Sequence, residues 1–179
     1  MITPIESPKE LEKLLRNMLI TQSQLIPNRV LNGNSIRGQD LEKMIDSNIY
    51  ISYNLSDCVI IFELFTRTSE ENISMIKSNN SLLLYSSYNM HLIIYGNKSE
   101  QLAQILKARL ESEKNRFDMY NLGIQIEEIS NITTINDFKN ETIWIRNDFD
   151  IDFACCYNIK QVSEFENYET LETININKI

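Results

Sequence analysis

The apolar positions change their period several times along the chain, and each change marks a predicted element. Leu11, Leu14, Leu15, Met18 and Leu19 recur at i, i+3, i+4, i+7 and i+8, which is one stripe on a helix. Ser7-Pro8-Lys9-Glu10 precedes them in the form of a capping box. The Ser7 hydroxyl can accept from the Glu10 backbone N–H, and Pro8 stands where a missing donor costs nothing. The pattern predicts a helix over residues 8–24, stopped by Ile26-Pro27.

From 28 to 47 the periodicity breaks, with turn signals at Asn32-Gly33-Asn34 and Arg37-Gly38, so a long surface connection is expected. Strand composition follows at 49–53 and, more strongly, at 58–65, whose near-continuous apolar run asks for cover on both faces. Residues 66–80 are polar and short-chained and read as an excursion. A long strand over 82–95, with a kink or bulge near Ser86-Ser87, closes at Gly96. A second helix is predicted from Asn97, with Glu100 three residues on and Leu102, Ile105, Leu106 and Leu110 on one stripe, to about residue 113. After a polar junction, residues 124–129 alternate as a half-buried strand. An Asn- and Thr-rich loop then leads to the last strand, 142–157. There Ile151, Phe153, Cys155 and Tyr157 face one way, and Asp148, Asp150 and Asp152 the other.

These elements predict an α+β fold: a mixed, mainly antiparallel sheet flanked by two main helices, with extended loops. Residues 1–157 form the domain, and 158–179 an arm or added edge strand. The arm is acidic first and then alternates through Leu171, Ile174 and Ile176. A chain of 179 residues suits one such domain. Lys and Arg number 17 against 25 Asp and Glu, for a formal net charge of -8, which disfavours a binder of phosphate backbones or membrane surfaces. Neither an apolar run long enough for a membrane helix nor a signal-like start is seen, so synthesis in the host cytoplasm is expected. Three cysteines without C-x-x-C spacing fit a reducing compartment.

Candidate chemistry is thin. His91 is the lone histidine and lies in an apolar strand, where a structural or surface role is the expectation. Gly33-Asn34-Ser35-Ile36-Arg37-Gly38 misses the G-x-S-x-G spacing by one, and no phosphate-binding glycine loop is present. Cys155 and Cys156 point to opposite faces of a regular strand, so they do not ligate one zinc ion together. Asp148, Asp150 and Asp152 form a line that could hold Mg²⁺ or Ca²⁺, the basis of one alternative, a small divalent-metal enzyme. The stronger reading is a solvated or interface face, because clustered carboxylates need water or basic partners. No cofactor is expected. A further alternative is a regulator binding a host protein through its acidic tail.

Some stretches together resemble the tail-terminator or neck proteins of tailed bacteriophages. They are His91-Leu92-Ile93-Ile94-Tyr95-Gly96, the helix with Leu102-Ala103 and Leu106, Gly123-Ile124-Gln125-Ile126, and Trp144-Ile145-Arg146-Asn147-Asp148-Phe149-Asp150-Ile151. The resemblance covers about residues 8–157; the 28–47 connection and the 158–179 extension lie outside its pattern. It implies a structural virion protein without enzymatic activity, forming a ring, usually a hexamer, on the end of the tail tube. Its implied partners are copies of itself, the tail tube protein, the head-completion or connector proteins, and genomic DNA passing through the lumen. Within the same class, a head-tail adaptor or the collar of a phage-tail-like bacteriocin is the alternative. Interface candidates, from exposure and pattern, are Arg37, Arg67, Glu70, Glu71, the Asp148/Asp150/Asp152 line, and the arm with Val162, Leu171, Ile174 and Ile176.

Overall fold

The computed structural model describes residues 5–35, 45, 48–67, 75–78, 81–139 and 142–160. Helix α1, Pro8–Ser23, starts as its capping box dictates, with Ser7 accepting from the Glu10 N–H at 3.2 Å. It ends at Gln24, in the left-handed region with φ 62, whose N–H returns to the Ile20 carbonyl. Leu11, Leu15 and Leu19 are buried, each contributing about 1.5–3 kcal/mol on leaving water.

The described residues form seven strands: β1 (Val30–Asn32), β2 (Val59–Thr66), β3 (Met75–Ser78), β4 (Ser81–Tyr95), β5 (Ile124–Ile129), β6 (Thr133–Lys139) and β7 (Thr142–Lys160). They make one sheet of order β1-β2-β4-β7-β5, with β3 also on β4 and β6 also on β7. Among the described strands only β1–β2 is a parallel pair, so the sheet is mixed and mainly antiparallel, as predicted for an α+β fold. Its spine is the β4–β7 ladder, which runs without a shift from Ser81↔Lys160 to Tyr95↔Arg146. One side of that spine carries β2 and β3 end to end, and the other carries β5 and β6.

Both main helices, α1 and α3 (Ser99–Glu111), cover one face of the sheet. Leu102, Ala103, Leu106 and Leu110 of α3 join Leu11, Leu15 and Leu19 over Phe62, Leu92, Phe149, Ile151 and Phe153. On the opposite face, the described residues give cover at the β1 end, through a small cluster of Leu31, Ile45, Ile49, Val59, Ile61, Ile93, Tyr95 and Trp144. Gly96 turns β4 into α3 with φ +128. A Cβ there would sit 3.0 Å from Cys58 Sγ and 3.3 Å from Cys58 Cα, so both conformation and space select glycine.

Several expectations need correction. The 28–47 stretch is not all loop: Val30 and Leu31 are buried and pair parallel with Ile60 and Ile61. Residues 48–51 form a helical turn, α2 (Asn48–Ile51), where a strand was expected; Ile49 faces the small cluster. The β4 ladder passes Ser86 and Ser87 without a bulge, and the irregularity lies instead on β5 between Ile126 and Glu128. Helix α3 starts at Ser99 with Lys98 at its N-cap and no capping side chain, so Asn97 does not repeat the Ser7 device. The expected polar junction is helix α4 (Glu113–Asn121), with Ser112 accepting from the Asn115 N–H. The Asn/Thr loop is largely β6, and the last strand runs on to Lys160.

Candidate functional site

Strand alternation puts the even-numbered residues of β7 and the odd-numbered residues of β4 on the sheet face without helices. Register then sets Tyr95 opposite Arg146, His91 opposite Asp150, and Asn89 opposite Asp152. A ladder of charge results. The Arg146 guanidinium donates to Asp137 Oδ2 at 2.9 Å and to the Tyr95 hydroxyl at 3.3 Å, and its Nε lies 3.1 Å from Asp148 Oδ2. His91 bridges two carboxylates, with Nε2 at 3.5 Å from Asp148 Oδ2 and Nδ1 at 2.9 Å from Asp150 Oδ1. Asp152 accepts from the Asn89 amide at 2.8 Å and pairs with Arg67 at 3.0 Å, while Glu127 is 4.0 Å from the same guanidinium.

The aspartate line is therefore answered by basic groups of the same chain rather than left in open water. Asp148 is only 4 % exposed, and its Oδ1 has no hydrogen-bond partner among the described residues, a cost offset by the flanking His91 and Arg146 charges. His91 is accordingly held protonated, with its pKa raised to about 9. The hydrogen bond to Asp148 contributes most, burial opposes it, and Asp150 adds to the rise. Behind the ladder, on the helix side, Asn147 is fully buried, donating to Ser99 Oγ at 2.8 Å and accepting from Thr134 Oγ1 at 2.8 Å.

At the β1 end the ladder runs into aromatic cover. Trp144 meets Tyr95 edge-on at 6.4 Å between centroids and Tyr50 at 6.0 Å. At the other end, Tyr85, Tyr120, Gly123, Gln125, Ala154 and Cys156 line a shallow depression of about 250 Å³.

The three aspartates diverge onto separate partners, and no group of three His, Cys, Asp or Glu among the described residues is arranged around a common point. The cysteines are free and buried; burial pushes the Cys58 thiol up to about 11 and raises Cys155 as well, away from the reactive thiolate. No helix among the described residues is long and apolar enough to cross a membrane.

Of the predicted interface residues, the structure brings together Arg67, Asp148, Asp150 and Asp152 on this face. Arg37, Glu70, Glu71, Val162, Leu171, Ile174 and Ile176 lie outside the described residues. His91, Tyr95, Asp137 and Arg146 are members of the ladder that pattern reading did not connect to it. The one available signal was polar His91 on the same strand face as Asn89, within an otherwise apolar run.

The aspartate line of this α+β module thus pairs with basic groups of the same chain, and its three cysteines are buried. The chain belongs to the phage neck terminator protein family, whose model matches residues 9–179. A comparison with curated proteins gives no match. The chain is thus a structural component of the phage neck, the region where tail meets head.

Proposed function

We propose that the chain assembles with copies of itself into a ring, hexameric in number, that ends the tail tube. The family match over residues 9–179 carries this reading. One side of the ring contacts the tail tube protein and the other the head-completion or connector proteins, and genomic DNA passes through the lumen without being read. The side chains make and break no bond in this role. Assembly takes place in the host cytoplasm before the subunit enters the virion.

The helix-free face supports the electrostatic part of the proposal. Asp150 and Glu127 are 45 % and 42 % exposed there, and the net charge is -8, which suits a wall that repels phosphates so that duplex slides rather than sticks. Contacts to neighbours fall to Arg37, Arg67, Glu70, Glu71, the outer carboxylates of the Asp148/Asp150/Asp152 line, and the segment with Val162, Leu171, Ile174 and Ile176. Arg67 is half-exposed and already paired, so it can exchange Asp152 for a neighbour's carboxylate at little net cost.

The test is tail tube polymerisation with and without the purified full chain, followed by electron microscopy. The expected result is tubes of bounded length with an annulus at one end. Unbounded tubes with no added density at either end would overturn the proposal.

A further inference from the structure

Among the described residues, side chains and the Ile5 backbone occupy part of the exposed edge at β1, β2, β5 and the end of β7. On β1, Arg16 donates from Nε to the Val30 carbonyl at 3.0 Å and from a terminal nitrogen to the Pro27 carbonyl at 2.6 Å. Where β1 stops, the Asn34 amide replaces a strand residue beside β2. Its oxygen accepts from the Leu64 N–H at 2.7 Å and its nitrogen donates to the Leu64 carbonyl at 3.3 Å. Arg116 of α4 caps the Ile126 carbonyl of β5 at 3.2 Å, and the Ile5 N–H donates to the Cys156 carbonyl of β7 at 2.8 Å.

Strand β6 has no such cover among the described residues. Its backbone bonds only to β7 among the described residues. The Asp150 N–H donates to Ser130, and the Ile145 carbonyl accepts from Tyr50 on the opposite side, so even-numbered β7 residues address β6 and odd-numbered ones β4. Thr133, Ile135, Asp137 and Lys139 therefore bond β7, while Thr134, Asn136 and Phe138 turn their backbone N–H and C=O groups outward. Such a row is a template for another strand. A second observation lies beside it. Helix α3 begins at Ser99, level with Asn147, so among the described residues no helix covers the helix-side face beyond, and Ile143 and Ile145 are 57 % and 45 % exposed there.

The chain itself contains a suitable strand. Residues 171–179 read Leu171-Glu172-Thr173-Ile174-Asn175-Ile176-Asn177-Lys178-Ile179, in which Ile174 and Ile176 alternate with polar residues. They follow the end of β7 at Lys160, at the far end of the sheet from β6. The nearest β6 pair, Thr133↔Asp148, is about 40 Å back along β7 at ordinary strand rise, whereas the chain from Lys160 to Leu171 spans about 36 Å. The subunit's own segment begins to reach β6 only from about Thr173, with the intervening chain almost fully extended and led around β5 and Ile5; a neighbour's segment has no such constraint.

We propose, on the basis of the self-assembly put forward above, that β6 accepts residues 171–179 of a second copy as an added strand. The donor segment is attached at Lys160, at the opposite end of β7 from the β6 acceptor, so the contact joins two different surfaces head to tail, the kind that generates a closed ring when the rotation divides the circle.

The test uses the full chain, a chain ending at Lys160, and Asn136→Pro, which removes one outward N–H. Ring formation is read by light scattering, alone and on tail tubes. The full chain should form rings, and both variants should lose ring formation by about tenfold or more while keeping the wild-type circular dichroism spectrum. As a check independent of folding defects, copies with Asn136→Cys are mixed with differently tagged copies carrying Ile176→Cys, and oxidation should join the two tags. Rings formed normally by the chain ending at Lys160 would overturn the added strand while leaving the ring itself standing. So would failure of oxidation to join the two tags in rings that have formed. A full chain that forms no ring, alone or on tubes, would instead overturn self-assembly.

Discussion

His91 offers the sharpest quantitative test of the charged ladder. It stands between Asp148 and Asp150 at 3.5 and 2.9 Å, and its pKa rises from 6.5 to about 9. That interval corresponds to about 3 kcal/mol at 1.36 kcal/mol per pH unit. Asp150 is 45 % exposed, and water screens its share, so about 1–2 kcal/mol of net stabilisation is expected. The sign follows from proton linkage: the folded chain holds this proton more tightly than the unfolded one. The stabilisation is therefore complete below about pH 6.5 and is lost as pH rises through about 9. His91→Gln keeps a hydrogen-bonding side chain but removes the charge. Urea unfolding across this window should show the wild type losing about 1–2 kcal/mol, with a Tm fall of about 2–8 °C. His91→Gln should start lower and change less. The buried Cys58 thiol, pushed up to about 11, also costs stability at high pH, but equally in both proteins, so the difference reports His91. Parallel pH profiles for the two proteins would refute the reasoning, as would a wild type that gains stability with pH relative to the variant.

Two substitutions test the elements that hold the ladder in place. Asn147→Ala leaves the buried Ser99 hydroxyl without its donor behind β7, while exposed Thr134 can turn to water, and should cost about 1–3 kcal/mol in urea unfolding; a loss within about 0.5 kcal/mol would show that the Ser99 bond does not matter. Gly96→Ala must place a Cβ 3.0 Å from Cys58 Sγ at φ +128, and should lower stability by about 1–3 kcal/mol and slow no other step of assembly. An unchanged Tm for Gly96→Ala would mean the β4–α3 turn is not under that constraint.

How much of this was legible in the sequence depends on how local each cause is. Helix α1 could be read because Ser7, Pro8 and Glu10 state its start, and a Leu stripe states its buried face. Strand β7 could be read because its alternation survives over Ile151, Phe153, Cys155 and Tyr157. Strand β1 could not. It is three residues long, and its reason to be extended is a parallel partner, β2, some thirty residues away in Ile60–Phe62 register. Helix α4 was hidden for a different reason: only Met119 is buried, while Phe117 and Tyr120 are exposed, so no apolar stripe announces it. The carboxylate line itself was visible as Asp148, Asp150 and Asp152. What neutralises it was not, because the His91–Asp150 and Arg67–Asp152 pairs follow from strand register and distant chain segments.

The most direct test of the neck assignment is a cryo-electron microscopy reconstruction of the intact particle around the head–tail junction. The account predicts a closed ring of copies of this α+β fold, seated between the last tube layer and the connector, with the lumen open to DNA. Absence of this fold from the junction, or its presence there as a single unassociated subunit, would contradict it.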